Sequence, residues 1–413
     1  MKMLFQTMLS LTFLVTTSLC AEWAVITVPV ADMTFREPSE LAVAASTSAE
    51  ELVAALPLSI EHQTYHCPRG YQGLYNEQVE IVTRKDGQVL CRIPTLYYDQ
   101  DPGGGLEQCY WVLEKNLTPL SQLAGIVIDA IPSSDAAKKT VTLTLPYTDT
   151  EVGQTYSLGT KFIRQEAEDT DITYCLVVPN FKTNSVRMIH VPKGHCLPQL
   201  ARTLPESQQL FMLLIKNLLT SCPPDKVIPF SWGGNSLCHW YANKPAQCVD
   251  VSYLDQTAGI WTRDEIEQPH SGYDASSFIL RMAQIAGLPY PFKTTLIASQ
   301  HLTALQPDEL LKNGDLLWVP GGLFVINTEE NTLIGARGYA LGYGKVVEQP
   351  LDKVLYKVHS IEELVALHRQ NASLQLLKAN GEIYRKVDSF RLLKLASCAE
   401  KNSVIFKQDQ AVA

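Results

Sequence analysis

The chain reads as an α+β protein in which small all-β modules precede a domain that begins with helices and ends in antiparallel strands. Three observations predict this. Up to about residue 200, apolar side chains come in short alternating runs parted by Gly, Asn and Asp turns, which is the signature of half-buried strands. Two stretches between residues 205 and 286 carry apolar residues at three- and four-residue spacing, the period of a helix packed on one face. Beyond Gly314 the strand pattern returns.

In order along the chain, Met1-Lys2-Met3, the apolar run Leu4 to Val15 and Thr16-Thr17-Ser18-Leu19-Cys20-Ala21 fit a secretory signal peptide, residues 1–20, cut after Cys20. The alternative is a lipoprotein signal with Cys20 acylated, against which stands the bulk of Leu19. The mature protein is therefore expected outside the cytoplasm, secreted or periplasmic. No later stretch is long and apolar enough to span a bilayer. Trp23 to Val30 alternates as a strand does, and Ser39 to Leu58, rich in Ala, Ser and Glu, reads as an insertion. Val79 to Thr83 and Gln88 to Ile93 flank Asp86-Gly87, a strong hairpin signal. Gly103-Gly104-Gly105 is a loop tip without the context of a phosphate-binding loop, and Tyr110-Trp111-Val112 closes a first module over 21–135.

A second module, 136–199, repeats the theme with strands at Val141 to Leu145, Thr160 to Arg164, Thr173 to Val178 and Val186 to Val191. The third region, 200–413, opens with a helix from Pro205 to Leu219, stopped by Cys222-Pro223-Pro224. Asp274 caps a second helix in which Phe278, Ile279, Met282, Ile285 and Ala286 share a face, until Gly287 and Pro289 end it. Ser360-Ile361-Glu362-Glu363 has the form of a capping box ahead of Leu364, Val365 and Leu367. Leu374 to Lys378 and Glu382 to Val387 flank Asn380-Gly381, read as a type I′ hairpin, and Phe390 to Leu395 adds a last strand.

Composition bounds the function. At 413 residues with 46% hydrophobic residues, the chain is long enough for two to four globular units. Its formal charge of -9, spread without a long basic run, argues against nucleic acid as a partner. Nine cysteines remain once Cys20 leaves with the signal, so at least one is unpaired. Cys238 and Cys248 suit a short disulfide loop in an oxidising compartment. Cys238-His239 with Cys248 is the metal alternative, but it matches no standard zinc spacing. No metal and no cofactor is expected.

Three segments carry the chemistry: Trp232-Gly233-Gly234, then Gly272-Tyr273-Asp274-Ala275-Ser276-Ser277-Phe278 leading into a helix, then Gly314-Asp315-Leu316-Leu317-Trp318 opening a strand. Together, and in this order, they resemble the NlpC family of papain-like bacterial cell-wall endopeptidases. The resemblance covers roughly Pro205 to Leu395, and the two modules before it resemble bacterial SH3-like barrels. It implies a nucleophilic cysteine at the first turn of the helix, where the macrodipole and free N–H groups favour a thiolate. Here that position is Ala275. The family's histidine base would fall at Gly322, seven residues after Asp315, and the polar residue orienting it at Gly335. A tyrosine expected before Trp232 is Phe230, which lacks the hydroxyl.

With three catalytic positions vacant, the expectation is an exported, catalytically silent member that binds peptidoglycan stem peptides or an envelope protein. The residues implied in binding are Asp274, Ser276, Ser277, Trp232 and Phe230. Asp274 and Ser276 occupy the positions that hold the free amino end of the stem peptide in the family, a carboxylate beside a hydroxyl being suited to an ammonium. The competing reading is that Asp274 only caps the helix. Two other readings stay open. One is an active D-glutamyl-diamino-acid endopeptidase using other residues, such as Ser276 or Ser277 with His239, His270 or His301. The other is a structural envelope protein whose groove has closed, which bulky side chains beside Ala275 would mark. Arg337 and Tyr339 are candidates to line the groove, the alternative being exposed strand residues that are merely solvated.

Overall fold

A computed structural model of the chain describes residues 21–34, 37, 42–44, 69–96, 109–132, 139–242, 260–262, 271–338 and 341–400. The expected signal segment, most of the expected insertion, the glycine loop tip, Cys248, His270 and Tyr339 lie outside the described residues.

The first sheet has seven strands: β1 (Glu22–Ile26), β2 (Val30–Thr34), β3 (Arg69–Leu74), β4 (Gln78–Lys85), β5 (Gln88–Arg92), β6 (Cys109–Leu113) and β7 (Leu117–Pro119). They lie in the order β3-β2-β6-β5-β4-β1-β7. The expected single strand from Trp23 to Val30 is two strands, because the chain turns at Thr27-Val28-Pro29 and Pro29 has no N–H for a ladder. Asp86 and Gly87 both take positive φ, 50° and 74°, which is the backbone a type I′ turn requires. The second sheet runs β11-β10-β9-β8-β12, with β8 (Thr140–Leu143), β9 (Lys161–Arg164), β10 (Thr173–Asn180), β11 (Ser185–Pro192) and β12 (Cys196–Pro198). Neither sheet closes. Among the described residues β3 and β7 are edges of the first, and β11 and β12 of the second, so closed barrels are not what the two modules form.

The third region is a three-layer α+β unit. Its helices are α1 (Leu204–Ser221), α2 (Ala275–Ala286) and α3 (Thr295–His301). Its central sheet is antiparallel, β16-β15-β14-β13-β19, built from β13 (Leu316–Val319), β14 (Gly322–Asn327), β15 (Thr332–Arg337), β16 (Lys345–Pro350) and, from the far end of the chain, β19 (Arg391–Leu393). Between β16 and β19 come α4 (Ile361–Arg369) and the hairpin of β17 (Leu374–Leu377) with β18 (Ile383–Val387). Thr203 and Glu206 form a full capping box on α1. At the β17–β18 turn only Gly381 has positive φ, 85°, and Asn380 does not, so the turn is not type I′.

Alternation along β14 and β15 assigns each side chain to a layer. Leu323, Val325, Ile334 and Ala336 join Phe278 and Met282 of α2 in one apolar cluster. Phe324, Ile326 and Leu333 point the other way, into a second cluster with Leu364 of α4 and Leu376 of β17. The first cluster does not stop at the third region: it also takes in Ala24, Met33, Tyr71 and Val89 of the first sheet and Phe211 and Ile215 of α1. The second sheet keeps its own core of Val141, Phe162, Leu176 and Val191, joined to the first by Tyr75, which lies 5.1 Å from the Tyr156 ring.

Candidate functional site

The site is built around the N-terminus of α2. Asp274 stands just outside the helix with extended φ and ψ, and its Oδ1 accepts from the Ser276 N–H at 3.1 Å, the Ser277 N–H at 2.7 Å and the Ser276 hydroxyl at 2.9 Å. Such a cap is worth about 1 kcal/mol. Its Oδ2 accepts from Lys293 Nζ at 3.0 Å, and the same ammonium donates to Ser277 Oγ at 2.5 Å. Lys293, Asp274 and Ser277 are all buried. Burial works against the charge on Asp274, and the Lys293 ammonium and the donors of Ser277 overcome it, holding the carboxyl below the usual aspartate value. Asp274 is thus both helix cap and ion-pair partner, and an internal ammonium already sits where a ligand's amine was expected.

Ala275 is half-buried at the first position of α2, with exposed Trp232 (41%) representing the Trp-Gly-Gly loop on the surface. Phe230 is buried and meets the Trp232 ring edge-on at 5.6 Å. Close approach explains the glycines. A Cβ on Gly233, whose φ is +62°, would lie 2.2 Å from the Arg69 carbonyl, and one on Gly234 would lie 2.5 Å from the Gly272 carbonyl. The loop is wedged between β3 and the segment entering α2. Asp315, in the Gly-Asp turn, ties the backbone together: it accepts from the N–H groups of Lys312 at 2.9 Å and Leu395 at 3.0 Å, and burial pushes its carboxyl up.

The first module reaches into the site. Arg69 on β3 makes a two-pronged ion pair with Asp32 on β2, at 2.6 and 2.8 Å, and its Nη1 donates to Ser231 Oγ at 2.9 Å and the Trp232 carbonyl at 3.2 Å. Gln72 donates to Asp32 at 2.9 Å and accepts from the Asn235 N–H at 3.0 Å and the Ser236 hydroxyl at 2.7 Å. The loop that frames position 275 is therefore held by side chains about 160 residues earlier in the chain. No local signal in the sequence marks Asp32, Arg69, Gln72 or Lys293 for these roles. Lys293 is a lone charge in the apolar context Pro291-Phe292, and only the fold brings it to Asp274.

The expected base positions move. Gly322 and Gly335 do not face α2: a Cβ on Gly322 would meet Val319 Cγ2 at 2.8 Å and the Phe324 ring at 3.4 Å, and one on Gly335 would meet the same ring at 3.0 Å. Both belong to the layer of Phe324, on the far side of the sheet from the helix. The turn at Pro320-Gly321 sets the register Val319↔Gly322 and so places Gly322 in the far layer. On the face that packs against α2, the side chains at this end of β14 and β15 are Leu323 and Ala336, both apolar. Arg337 also lies on the far face, buried, with Nη2 donating to the Leu377 carbonyl at 2.8 Å and the guanidinium over the Tyr343 ring at 3.9 Å.

The chemistry open to these groups is limited. The hydroxyls of Ser276 and Ser277 bond to Asp274 and Lys293 and to no imidazole among the described residues. His239 bonds Tyr241, and His301 stacks on Phe292 at 5.6 Å. Cys238, six residues after Trp232, is a free thiol whose pKa burial pushes up to about 12, the reverse of what a nucleophile needs. Among the described residues no group of three His, Cys, Asp or Glu side chains is placed to hold a metal ion.

With this geometry in hand, the fold finds a counterpart. The chain is similar to a solved NlpC/P60 family protein from Bacillus cereus ATCC 10987, with a TM-score of 0.50 and 16% identity, over 80% of this chain and 94% of that one. NlpC2 and NlpC1 of Trichomonas vaginalis align over 80% and 82% of this chain and 94% and 90% of theirs, at 11% and 9% identity. Their TM-scores of 0.28 are too low to carry an argument. No family model matches the chain, and no curated protein does. At this level of identity the likeness is one of fold: a mixed helix and sheet scaffold of the NlpC/P60 type.

Proposed function

We propose that the protein is an exported, catalytically silent recognition module on an NlpC-type scaffold, which binds peptidoglycan stem peptides over the surface framed by Trp232 and Ala275. One observation carries this reading: Ala275 holds the helix position where the scaffold presents its thiol, and the sheet face packed against that helix offers Leu323 and Ala336 instead of an imidazole. The two β modules, likened to SH3-like domains by their sequence, act in this reading as walls that restrict access to the groove, with Arg69 fixing the Trp232 loop.

Recognition does not depend on a free Asp274. Because Lys293 occupies Oδ2, shape and the exposed Trp232 face contribute more than an ammonium contact, and acetylating the stem peptide's L-alanine amine weakens binding less than threefold. Calorimetric titration of the mature protein with free and N-acetylated muropeptides, followed by mass spectrometry of the mixtures, tests both points. Binding with both peptides recovered intact is the expected result. Cleavage at the D-glutamyl bond would return the chain to the active endopeptidases, and absence of binding by either peptide would leave the envelope-protein partner in its place.

A further inference from the structure

A cavity of about 820 Å³ lies where the first sheet, the second sheet and the C-terminal end of α2 meet. It is separate from the surface at Ala275. Its wall includes Arg281, Gln284 and Ile285 of α2, roughly two to three turns from Ala275, and Leu288 just past the end of the helix. The volume falls in the range of small-molecule sites, which are mostly apolar with a few converging polar groups. Leu74, Ile285, Leu288 and Pro291 supply apolar wall here.

The polar groups gather at one end. Lys161 of β9 and Arg281 of α2 lie in each other's field and in that of Glu77, which accepts from the Tyr71 hydroxyl and the Leu74 N–H. These three are the charged groups lining the cavity, so two cations face one carboxylate and a positive charge is left uncompensated. Arg281 is 4% exposed. Its Nε donates to the Asn235 carbonyl at 3.2 Å and its Nη2 to Tyr71 Oη at 3.3 Å, while Nη1 has no hydrogen-bond partner among the described residues. Lys161 Nζ likewise has none. Lys161 is exposed and lines the cavity, and the protein packed around it lowers its pKa by desolvation. Asn76 Oδ1, in a residue 3% exposed whose Nδ2 donates to the Lys161 carbonyl, and Gln284 Oε1 also lack donors, but both are sealed from solvent and so are not offered to the cavity.

Here two cationic groups with donors to spare, Lys161 Nζ and Arg281 Nη1, line a cavity whose remaining wall is largely apolar. We infer that this junction cavity binds a small molecule bearing a carboxylate on an apolar body, as an acylated amino acid does. The carboxylate meets Lys161 and Arg281 Nη1, and the apolar part lies along Leu74, Ile285 and Leu288.

The full-length mature protein is titrated calorimetrically with N-octanoylglycine and with its neutral amide, N-octanoylglycinamide. The acid is expected to bind at one site, at least tenfold tighter than the amide. Lys161→Met is expected to weaken the acid at least tenfold and leave the amide unchanged, with the thermal transition of the wild type retained, since it removes a desolvated charge without cutting a bond. Equal affinity for acid and amide, an unchanged isotherm in K161M, or no heat up to the solubility limit of the acid would each overturn the inference. If K161M does not fold, the comparison of acid with amide on the wild-type protein decides the matter alone.

Discussion

Asp274 serves at once as the cap of α2, the acceptor of the Ser276 hydroxyl and the anion that receives Lys293. Removing either charge of a buried pair strands the other, at a cost of about 3–5 kcal/mol. Lys293→Met is therefore expected to lose about that much stability in urea unfolding at neutral pH, with the m-value unchanged. The pH dependence follows from the direction of the shift. The folded carboxyl titrates below the ordinary aspartate value, so its contribution is complete above about pH 4 and drains away as pH falls through the lower folded value. Asp274→Asn should be less stable than the wild type at pH 7, and its stability should fall less steeply in acid denaturation below pH 4. Equal slopes for the two proteins would mean that Lys293 and Asp274 do not interact energetically.

At the scale of elements, α2 is the helix around whose N-terminus the site is built. The N–H groups of Ser276 and Ser277 in its first turn are capped by Asp274, and Ala275 is half exposed there. A cysteine placed at 275 gains the field of a helix N-terminus, which lowers thiol pKa below the free value of about 8.5. Burial by contrast pushes Cys91, Cys196, Cys238 and Cys398 up to about 12. Ala275→Cys is thus expected to be alkylated by iodoacetamide at pH 7 ahead of these native thiols, as read by peptide mapping, and to leave muropeptides uncut because the facing sheet carries no base. Turnover by this variant would require a base outside the described residues. This helix was fully legible in sequence: its aspartate cap, its apolar period and Gly287, which takes φ 79° at its end, are all local signals. The strand opposite was legible as a strand but not in its facing. A period of two puts neighbouring residues in opposite layers, and the register set by the turn at Pro320-Gly321, which the sequence pattern does not fix, decides that Gly322 and Gly335 face away from α2. Lys293 and Arg69 were illegible for a different reason, since each acts on a partner brought to it only by tertiary structure.

For the molecule as a whole, the sequence marks a change of pattern near residue 200, but the core does not break there. Met33 and Tyr71 of the first sheet share one apolar cluster with Phe211 of α1 and Phe278 of α2, and the Asp32–Arg69–Ser231 network crosses the same boundary. Residues 200–413 made alone would expose that face. They are expected to show no cooperative thermal transition by near-UV circular dichroism, whereas the full chain melts with one. A sharp, reversible melt of the isolated piece would mean that the first sheet is an accessory rather than a part of the core. The wedge of the Trp232 loop against β3 also bears on how the protein comes into being. Arg69 meets Ser231 only after 162 more residues have been made, roughly 8–30 s at ordinary rates of synthesis. Until then β2 and β3 hold a buried-type charge pair and an apolar face with nothing to cover them, so the first sheet to leave the ribosome is among the last to be finished, while the second sheet, with a core of its own, is complete before Ser231 is made.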